Sequence, residues 1–388
     1  MARPRSLLEA VRGRKVLVFG AGGGGDVVGA LSMYLKVRKM GGTPILGAAV
    51  WERYSVDPYP GPIPLEAMVN VEPIGWSAAL VMGSSYALRF GREVRPQLVR
   101  VASAINERAL FIDLSKGAEG VKEAIEVAKE ALGVEVAIGV DVGGDILALG
   151  CEEGLWSPLA DAVSLAGLHA SSVDRLLAVH GPGADGELST ELVLSYIADV
   201  ARRGGLLGVY GLEADEAELL ESVVKEVVTE ASLMPLLAFR GELGLRKMRD
   251  GSRQVSLSPV IATTYLMDVD AVYERSQLAK LVEGSRSISQ ARQALNERCI
   301  YTELDLEYDL FELRGEASAR PKGLSEIRRE GIGRLVRGQP AACRRWRREG
   351  LPGTPCLPGG SRGSPHSPGQ VCRPLRQRLS PPQPPAPP

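Results

Sequence analysis

The feature of this sequence that most restricts its fold is a strand, a helix and a second strand in close succession near its start. The apolar run KVLVFG (15–20) has the length and composition of a buried strand. DVVGALSMYLKVRKM (26–40) has apolar residues at helical spacing, two glycines follow it, and PILGAAV (44–50) is the next apolar strand. Such a unit pairs its strands in parallel and joins them by a right-handed crossover.

The same alternation continues for about two thirds of the chain. Further strand-like runs that end in glycine or polar loops occur at 78–83, 108–115, 134–145, 175–187 and 205–213, with helical patterns between them. We therefore predict a Rossmann-like α/β domain over residues 1–235, with a doubly wound, mostly parallel sheet. The pattern changes after 235, and residues 236–317 are predicted to form a small C-terminal α+β extension of the same body.

The last part of the chain has a different composition. From Gly338 to Pro388 it holds 13 of the 26 prolines, eight arginines, no lysine and one acid. Such a segment buries too little apolar surface to offset its ordering entropy, so we predict a disordered, non-native tail over 318–388. Residues 338–388 carry +8 and −1, so by subtraction from the total of −1 the rest of the chain carries about −8. An acidic body argues against a nucleic-acid partner.

Other signals concern the cell compartment. No run reaches the roughly 20 apolar residues that span a bilayer, so no membrane partner is expected. Cys151 and Cys299 are the body cysteines, they form no C-x-x-C pair, and two lone thiols favour a cytoplasmic protein. The three asparagines of the whole chain hint at a thermophilic source. The sequence leaves a homo-oligomer open.

The loop GAGGGGD (20–26) is the first candidate for chemistry. It satisfies G-x-G-x-x-G between a strand and a helix, and Glu52 follows the second strand, where an acid can bind a ribose hydroxyl. The alternative is that the glycines only permit a tight turn and close packing. The predicted cofactor-binding residues are Gly20, Gly22, Gly23, Gly24, Gly25, Asp26, Glu52 and, from the loop GSS (83–85), Ser84.

Asp26 complicates a simple dinucleotide site. An acid beside a bare pyrophosphate repels it, whereas an acid suits a phosphate bridged by Mg²⁺. The alternative is that Asp26 only caps the helix that follows.

DVGGD (141–145) places two acids at the end of another strand. Asp141 and Asp145 could share Mg²⁺, or their repulsion could raise one pKa and make that acid a proton carrier. The alternative is a solvated turn in which Asp145 caps a helix. Asp161, in the SPLADA segment (157–162), is expected in the first turn of a helix, where acids stabilise the helix dipole.

HGPGADGE (180–187) ends the next strand with His180, Asp185 and Glu187. A histidine at this edge of a parallel sheet can act as a general base, or it can be a hydrogen-bonded structural residue. No H-x-x-H, H-E-x-x-H or G-x-S-x-G motif and no Walker A sequence occurs. The predicted catalytic residues are Asp141, Asp145, His180 and Asp185, with Asp141 and Asp145 also as metal ligands.

The ordered motifs VFGAGGGGDVVGA, VDVGGDILALG, SPLADA and GPGADGEL resemble the largely archaeal family catalogued as domain of unknown function 1152. The resemblance extends from about residue 15 to about residue 313. It implies no reaction, but it does imply that the glycine and aspartate loops are the hallmark of the family.

Three functions are consistent with these residues. The first is an enzyme that acts on a small phosphorylated metabolite or nucleotide in an Asp-lined cleft that uses Mg²⁺. The second is an NAD(P)-dependent oxidoreductase that uses Gly20, Gly22, Gly25 and Glu52. The third is a non-catalytic nucleotide sensor.

Overall fold

The computed structural model describes residues 6–54, 56–315 and 323–339. The strands are β1 (Lys15–Gly20), β2 (Thr43–Ala49), β3 (Met68–Val69), β4 (Glu72–Pro73), β5 (Ala78–Val81), β6 (Tyr86–Arg89), β7 (Arg92–Val94), β8 (Ala109–Ile112), β9 (Val136–Val142), β10 (Asp174–His180), β11 (Leu206–Gly211), β12 (Gly244–Met248), β13 (Arg253–Leu257) and β14 (Thr263–Asp268). The helices are α1 (Leu7–Val11), α2 (Asp26–Lys39), α3 (Gln97–Ile105), α4 (Gly117–Leu132), α5 (Pro158–His169), α6 (Thr190–Arg202), α7 (Ala214–Val223), α8 (Leu233–Phe239), α9 (Val269–Arg275), α10 (Gln277–Val282), α11 (Ile288–Asn296), α12 (Glu303–Gly315) and α13 (Leu324–Gly338).

A nine-stranded sheet forms the centre, in the order β11-β14-β10-β9-β1-β2-β8-β5-β4. The five strands from β10 to β8 pair in parallel. The outer strands β14, β11, β5 and β4 pair antiparallel. The predicted α/β class with a large, mostly parallel central sheet is confirmed.

Apolar side chains cover both faces of this sheet. Along β1, Val16 and Val18 belong to the core on one face, where α2 and α3 pack, while Leu17 and Phe19 belong to the core on the other face, with α4 and α5. Strands buried on both faces read as continuous apolar runs, which explains KVLVFG.

The strand order reverses at β1, because β1 lies between β2 and β9. The chain leaves β1 into α2 on one face and leaves β9 into the segment that leads to α5 on the other face. Parallel sheets open a crevice at the carboxyl ends of two such strands, and ligands bind there. The ends of β1 and β9 are therefore the place to look for a site.

The segment after 235 is more closely integrated than we predicted. β14 lies between β10 and β11 in the central sheet, so part of the 236–317 region belongs to the main sheet. Within the predicted tail, residues 324–338 form helix α13, where Ile327 is buried and Arg334 pairs with Asp309 of α12. The prediction of disorder therefore does not hold for α13. Residues 340–388, with the rest of the predicted tail, lie outside the described residues.

Two further observations bear on the compartment. Cys151 and Cys299 are both disulfide-bonded, so the prediction of two lone thiols is wrong. Within the described ranges, no helix combines the length and apolar character needed to cross a membrane.

Candidate functional site

A cavity of about 490 Å³ lies at the carboxyl ends of β1, β9 and β10. Its charged lining residues are Asp26, Glu52, Asp141, Asp145, Asp161, Asp185, Glu187, Glu230, Glu303 and Glu307, together with Arg53, Arg249 and Arg253. Ten acids and three arginines cannot neutralise one another. The excess negative charge must be balanced by bound protons or by cations.

Asp26, Asp141 and Asp161 form what we call the first carboxylate group. Each offers one oxygen, and these three oxygens lie within 4.8 Å of one another. Asp26 is the first residue of α2, Asp141 lies near the end of β9, and Asp161 lies in the first turn of α5. Because α2 and α5 cover opposite faces of the sheet, their first turns approach each other only at the crevice.

Gly22 makes this approach possible. A Cβ atom at this position would lie 2.6 Å from Asp26 Oδ2 and 2.8 Å from Asp161 Oδ1, closer than real Cβ contacts. Any larger residue would therefore displace one or both carboxylates.

Asp145, Asp185 and Glu187 form the second carboxylate group, with three oxygens again within 4.8 Å. Asp145 follows the glycines at the end of β9, and the other two acids lie in the loop between β10 and α6. Gly143 has φ +123°, and a Cβ there would lie 2.4 Å from Asp185 Oδ1, so both the backbone and the space require glycine. The two groups are adjacent, because Asp141 and Asp145 lie four residues apart at the end of β9 and all six acids line the same cavity.

Some oxygens of these groups have no hydrogen-bond partner among the described residues. They are both carboxylate oxygens of Asp185 and Oδ1 of Asp161, and all three are buried. A buried polar atom without a partner is costly, unless a ligand satisfies it. Carboxylate oxygens in this position are the ligands that Mg²⁺ and Mn²⁺ prefer.

Burial is the main influence on the acidity of these residues. It raises the pKa of Asp141, Asp145 and Asp161 well above the ordinary value, and the charges of neighbouring carboxylates raise each further. Burial likewise raises the pKa of Asp26 to about 7, and burial together with the charge of Glu187 raises that of Asp185 to about 8. Without a cation, Asp26 and Asp185 are therefore partly protonated near neutral pH.

Glu187 is the exception. Burial alone would raise its pKa, but the charge of Arg253 and hydrogen bonds from Ser157 and Trp156 lower it. Its Oε2 accepts from the amides of Trp156 at 2.5 Å and Ser157 at 2.9 Å, and its Oε1 lies 3.0 Å from Arg253 Nη1. Glu187 thus stays ionised and fixes the chain just before α5.

The glycine loop uses several of its amides within the protein. The amide of Gly22 donates to Asp26 Oδ2 at 2.8 Å, that of Gly24 donates to the Trp51 carbonyl at 2.8 Å, and that of Asp26 donates to the Gly23 carbonyl at 3.2 Å. A phosphate-binding loop directs such donors at the ligand. The predicted contacts from Gly20, Gly22, Gly23, Gly24 and Gly25 therefore have fewer donors than the motif implies.

Glu52 follows β2 in the cavity wall, and its side chain reaches the start of α3. Its Oε1 accepts from the Gln97 amide at 2.7 Å, while its buried Oε2 has no partner among the described residues. Burial raises its pKa to about 8. One oxygen is therefore committed to the helix rather than available to a ribose.

Three predicted residues, Gly20, His180 and Ser84, are not among the residues that line the cavity, and Gly20 is the last residue of β1. His180 is buried, its Nδ1 lies 2.8 Å from Thr264 Oγ1 on β14, and burial lowers its pKa to about 4. This is the geometry of a hydrogen-bonded structural histidine. Ser84 follows β5, which runs antiparallel to β8, so it lies at the opposite edge of the sheet and is exposed. The expectation that Ser84 shares this edge is wrong, because it assumed a parallel β5.

Helix α12 brings two acids that the sequence did not single out. Glu303 accepts from the amides of Leu159 at 3.0 Å and Ala160 at 2.9 Å and so caps α5. Glu307 accepts from Trp51 Nε1 at 3.0 Å, and burial raises its pKa to about 7. Their i, i+4 spacing places both on one helix face, and this was the only available signal.

Three arginines were also missed. Arg53 follows β2, Arg249 lies in the turn after β12, and Arg253 begins β13. No local motif surrounds them, because the chain brings them to the cavity from distant segments. Lys116 pairs with Glu66 outside the cavity lining.

Comparison with known proteins gives one match. The family described as protein of unknown function (DUF1152) matches residues 17–311, which are 295 of the 388 residues. No curated protein and no solved structure matches the chain.

Proposed function

The chain belongs to the DUF1152 family, and we propose from its site that it is a Mg²⁺- or Mn²⁺-dependent enzyme acting on a phosphorylated or nucleotide-like metabolite. The proposed fold is Rossmann-like, with the substrate in the crevice between β1 and β9. The reaction class we favour is hydrolysis or transfer at phosphorus.

The observation that carries this proposal is the pair of adjacent carboxylate groups with unpartnered oxygens. Asp161 Oδ1 belongs to the first group and both oxygens of Asp185 to the second, and all three are buried and unsatisfied. Two groups of three carboxylates suit two hard cations, each of which would keep positions for water or substrate. Two-metal sites stabilise both the attacking and the leaving oxygen in phosphoryl chemistry.

The two carboxylate groups would hold the divalent ions, which would supply positive charge to the phosphate and lower the pKa of a bound water. Other residues of this chain would position the metal ligands. Glu187, which stays ionised, holds the approach to α5 in place, while Glu303 fixes the first turn of that helix and so the position of Asp161. Asp185 would be one of the residues that hold the second ion, so its raised pKa in the metal-free chain makes a proton compete with that ion.

The NAD(P) alternative has weaker support. In a dinucleotide site, the loop amides face the pyrophosphate and an acid faces the ribose. Here the Gly22 amide faces Asp26, and one oxygen of Glu52 caps α3. A non-catalytic sensor would use the same cavity, and only product formation distinguishes it.

A ligand panel with and without metal tests the proposal. Thermal shift is measured with NAD, ATP, CoA and sugar phosphates, each in EDTA and in excess Mg²⁺, because a ligand that binds only the folded state raises apparent stability. Released phosphate and modified nucleotide are then assayed for each stabilising ligand.

We expect stabilisation by one phosphorylated ligand that needs Mg²⁺, followed by turnover. Stabilisation by NAD in EDTA would instead favour the oxidoreductase. Mg²⁺-dependent binding without any product would favour the sensor.

A further inference from the structure

We propose that Arg53, Arg249 and Arg253 form an anion subsite that receives a phosphate group of the ligand in the same cavity as the two carboxylate groups. The assignment of this phosphate to a substrate rests on the proposed function. The existence of the subsite does not, because it follows from the arginines themselves.

The first argument is convergence from distant parts of the chain. Arg53 lies about 200 residues before the other two in sequence, yet all three line one cavity. The pKa of Arg249 is lowered first by burial and then by the positive charges of Arg253 and Arg53. Glu187, Glu230 and Glu303 pair with Arg253, Arg249 and Arg53 and offset part of this repulsion, so the three guanidinium groups stay close together in the cavity wall. Three guanidinium groups at one wall of a cavity suit a multiply charged anion such as phosphate.

The second argument is that each guanidinium is fixed by one side and has donors left over. Arg53 Nη2 donates to the Gly22 carbonyl at 2.7 Å, whereas its buried Nη1 has no hydrogen-bond partner among the described residues and lies 3.8 Å from Glu303 Oε1. Arg253 contacts Glu187 Oε1 at 3.0 Å through Nη1. A guanidinium carries five N–H donors, so such anchoring orients it without exhausting it.

The backbone of Arg249 has an uncommon conformation. Its φ of +50° lies in the left-handed region, which non-glycine residues seldom adopt. Glu230 stabilises this conformation, because its Oε2 accepts from the Arg249 amide at 3.0 Å and lies 3.2 Å from Arg249 Nε. Backbone strain that a specific side chain maintains is a feature of ligand-binding positions.

The glycine loop does not provide free amide donors for a phosphate. The amides of Gly22 and Gly24 donate within the protein. Phosphate oxygens that do not contact a metal ion therefore find their donors in the arginines, which match phosphate in geometry and charge.

Phosphate binding to arginine variants tests the subsite. Inorganic phosphate is titrated by calorimetry against the wild-type chain, R249Q, R249K and the control R246Q, first in EDTA at pH 6 and then with excess Mn²⁺ at pH 7.5. Arg246 lies on the adjacent strand β12, is exposed and pairs with Glu242, so its loss removes one positive charge near the same turn.

We expect R249Q to weaken phosphate binding by roughly tenfold in both conditions. The phosphate affinity of R249K should lie between those of the wild type and R249Q, and that of R246Q should equal that of the wild type. Phosphate binding equal in R249Q and wild type, or no phosphate binding by the wild type in either condition, would overturn the subsite.

Mn²⁺ binding to the same variants separates the two proposals. We expect R249Q to bind Mn²⁺ like the wild type. If phosphate binds through Arg249 while no variant binds Mn²⁺, the subsite stands and the metal-dependent function fails. If Mn²⁺ binds but R249Q leaves phosphate affinity unchanged, the subsite fails and the metal-dependent function stands.

Discussion

The backbone amide of Gly22 donates a hydrogen bond to Asp26 Oδ2 at 2.8 Å. The glycine loop thereby fixes the direction of an aspartate at the start of α2, and this aspartate meets Asp161 from the opposite face of the sheet. In this chain the loop positions a carboxylate rather than presenting bare donors to a pyrophosphate.

Replacing Gly22 should therefore disturb both aspartates. In G22A the new Cβ atom would press on Asp26 Oδ2 and Asp161 Oδ1, at 2.6 and 2.8 Å. We expect a loss of roughly 1–3 kcal/mol in unfolding free energy, as for other overpacked sites, and loss of stabilisation by Mn²⁺. Urea unfolding with and without Mn²⁺ measures both effects.

The matched control is G211A. Gly211 ends β11, and a Cβ there meets no atom within 4 Å. This variant should stay within about 0.5 kcal/mol of the wild type and should keep its response to Mn²⁺. Equal behaviour of the two variants would contradict the role given to Gly22.

Neutralising Asp185 should stabilise the metal-free protein. At pH 8 its carboxyl is buried beside Glu187, and its pKa is raised to about 8, so ionisation is costly. The amide of D185N has nearly the same shape and no charge. We expect a gain on the order of 1 kcal/mol in EDTA at pH 8, measured by urea unfolding.

The control for this prediction is D174N. Asp174 begins β10 at the opposite edge of the sheet and pairs with Arg14 at 2.8 Å. This variant should lose a few tenths of a kcal/mol, as partly exposed ion pairs do. A destabilised D185N in EDTA would mean that Asp185 is needed as an ionised structural group.

The metal-free protein should lose stability as the pH rises from 6.5 to 8.5. Asp26, Asp185 and Glu52 have a raised pKa of about 7 to 8 in the folded chain, far above that of an unfolded acid. Between the pKa of these acids in the unfolded chain, about 4, and their pKa in the folded chain, the folded state binds more protons than the unfolded state. The stability of the folded chain therefore falls as the pH approaches 8. His180 has a lowered pKa and acts in the opposite sense only below about 6.5.

Urea unfolding in EDTA across this range measures the slope, which can reach about 1.4 kcal/mol per pH unit for each proton released. Excess Mn²⁺ should flatten or reverse it, because the ion replaces the protons. A flat profile in EDTA would show that these acids titrate normally.

A buried ion pair should matter for the placement of α2. Lys36 Nζ lies 2.8 Å from both carboxylate oxygens of Glu216 on α7, and both side chains are almost fully buried. K36M removes the two short contacts to Glu216 and leaves this buried acid only the 3.4 Å contact with Lys39 as an ion pair, so we expect a loss of up to roughly 3–5 kcal/mol in unfolding free energy. The double variant K36M/E216Q should recover part of this loss, and no recovery would contradict the pairing.

Much of the fold was readable from the sequence for a simple reason. Central parallel strands are buried on both faces, so β1, β2 and β9 appear as apolar runs, and glycine and acid residues mark their carboxyl ends. The carboxyl ends of parallel strands share one edge of the sheet, so the sequence predicted that four acids lie in the same region. The structure brings all four to one cavity: Asp26, Asp141, Asp145 and Asp185.

The rest required long-range information. Strand direction at the sheet margins depends on pairing partners, so β5 and Ser84 were misplaced. Asp161 was interpreted as a residue that stabilises a helix dipole, and Glu187 was noted after a strand without a role. Arg53, Arg249 and Arg253 meet only through tertiary folding, and no local spacing reveals them.

The most direct test of the account is the number of divalent ions that the chain binds. Calorimetric titration with MnCl₂ at pH 7.5 compares the wild type with D161N, D185N and the control D174N. We expect two ions per chain for the wild type and D174N, and one ion for each of D161N and D185N, because each of the last two removes a carboxylate from one of the two groups. No binding by the wild type at millimolar Mn²⁺, or two ions bound by both D161N and D185N, would contradict it.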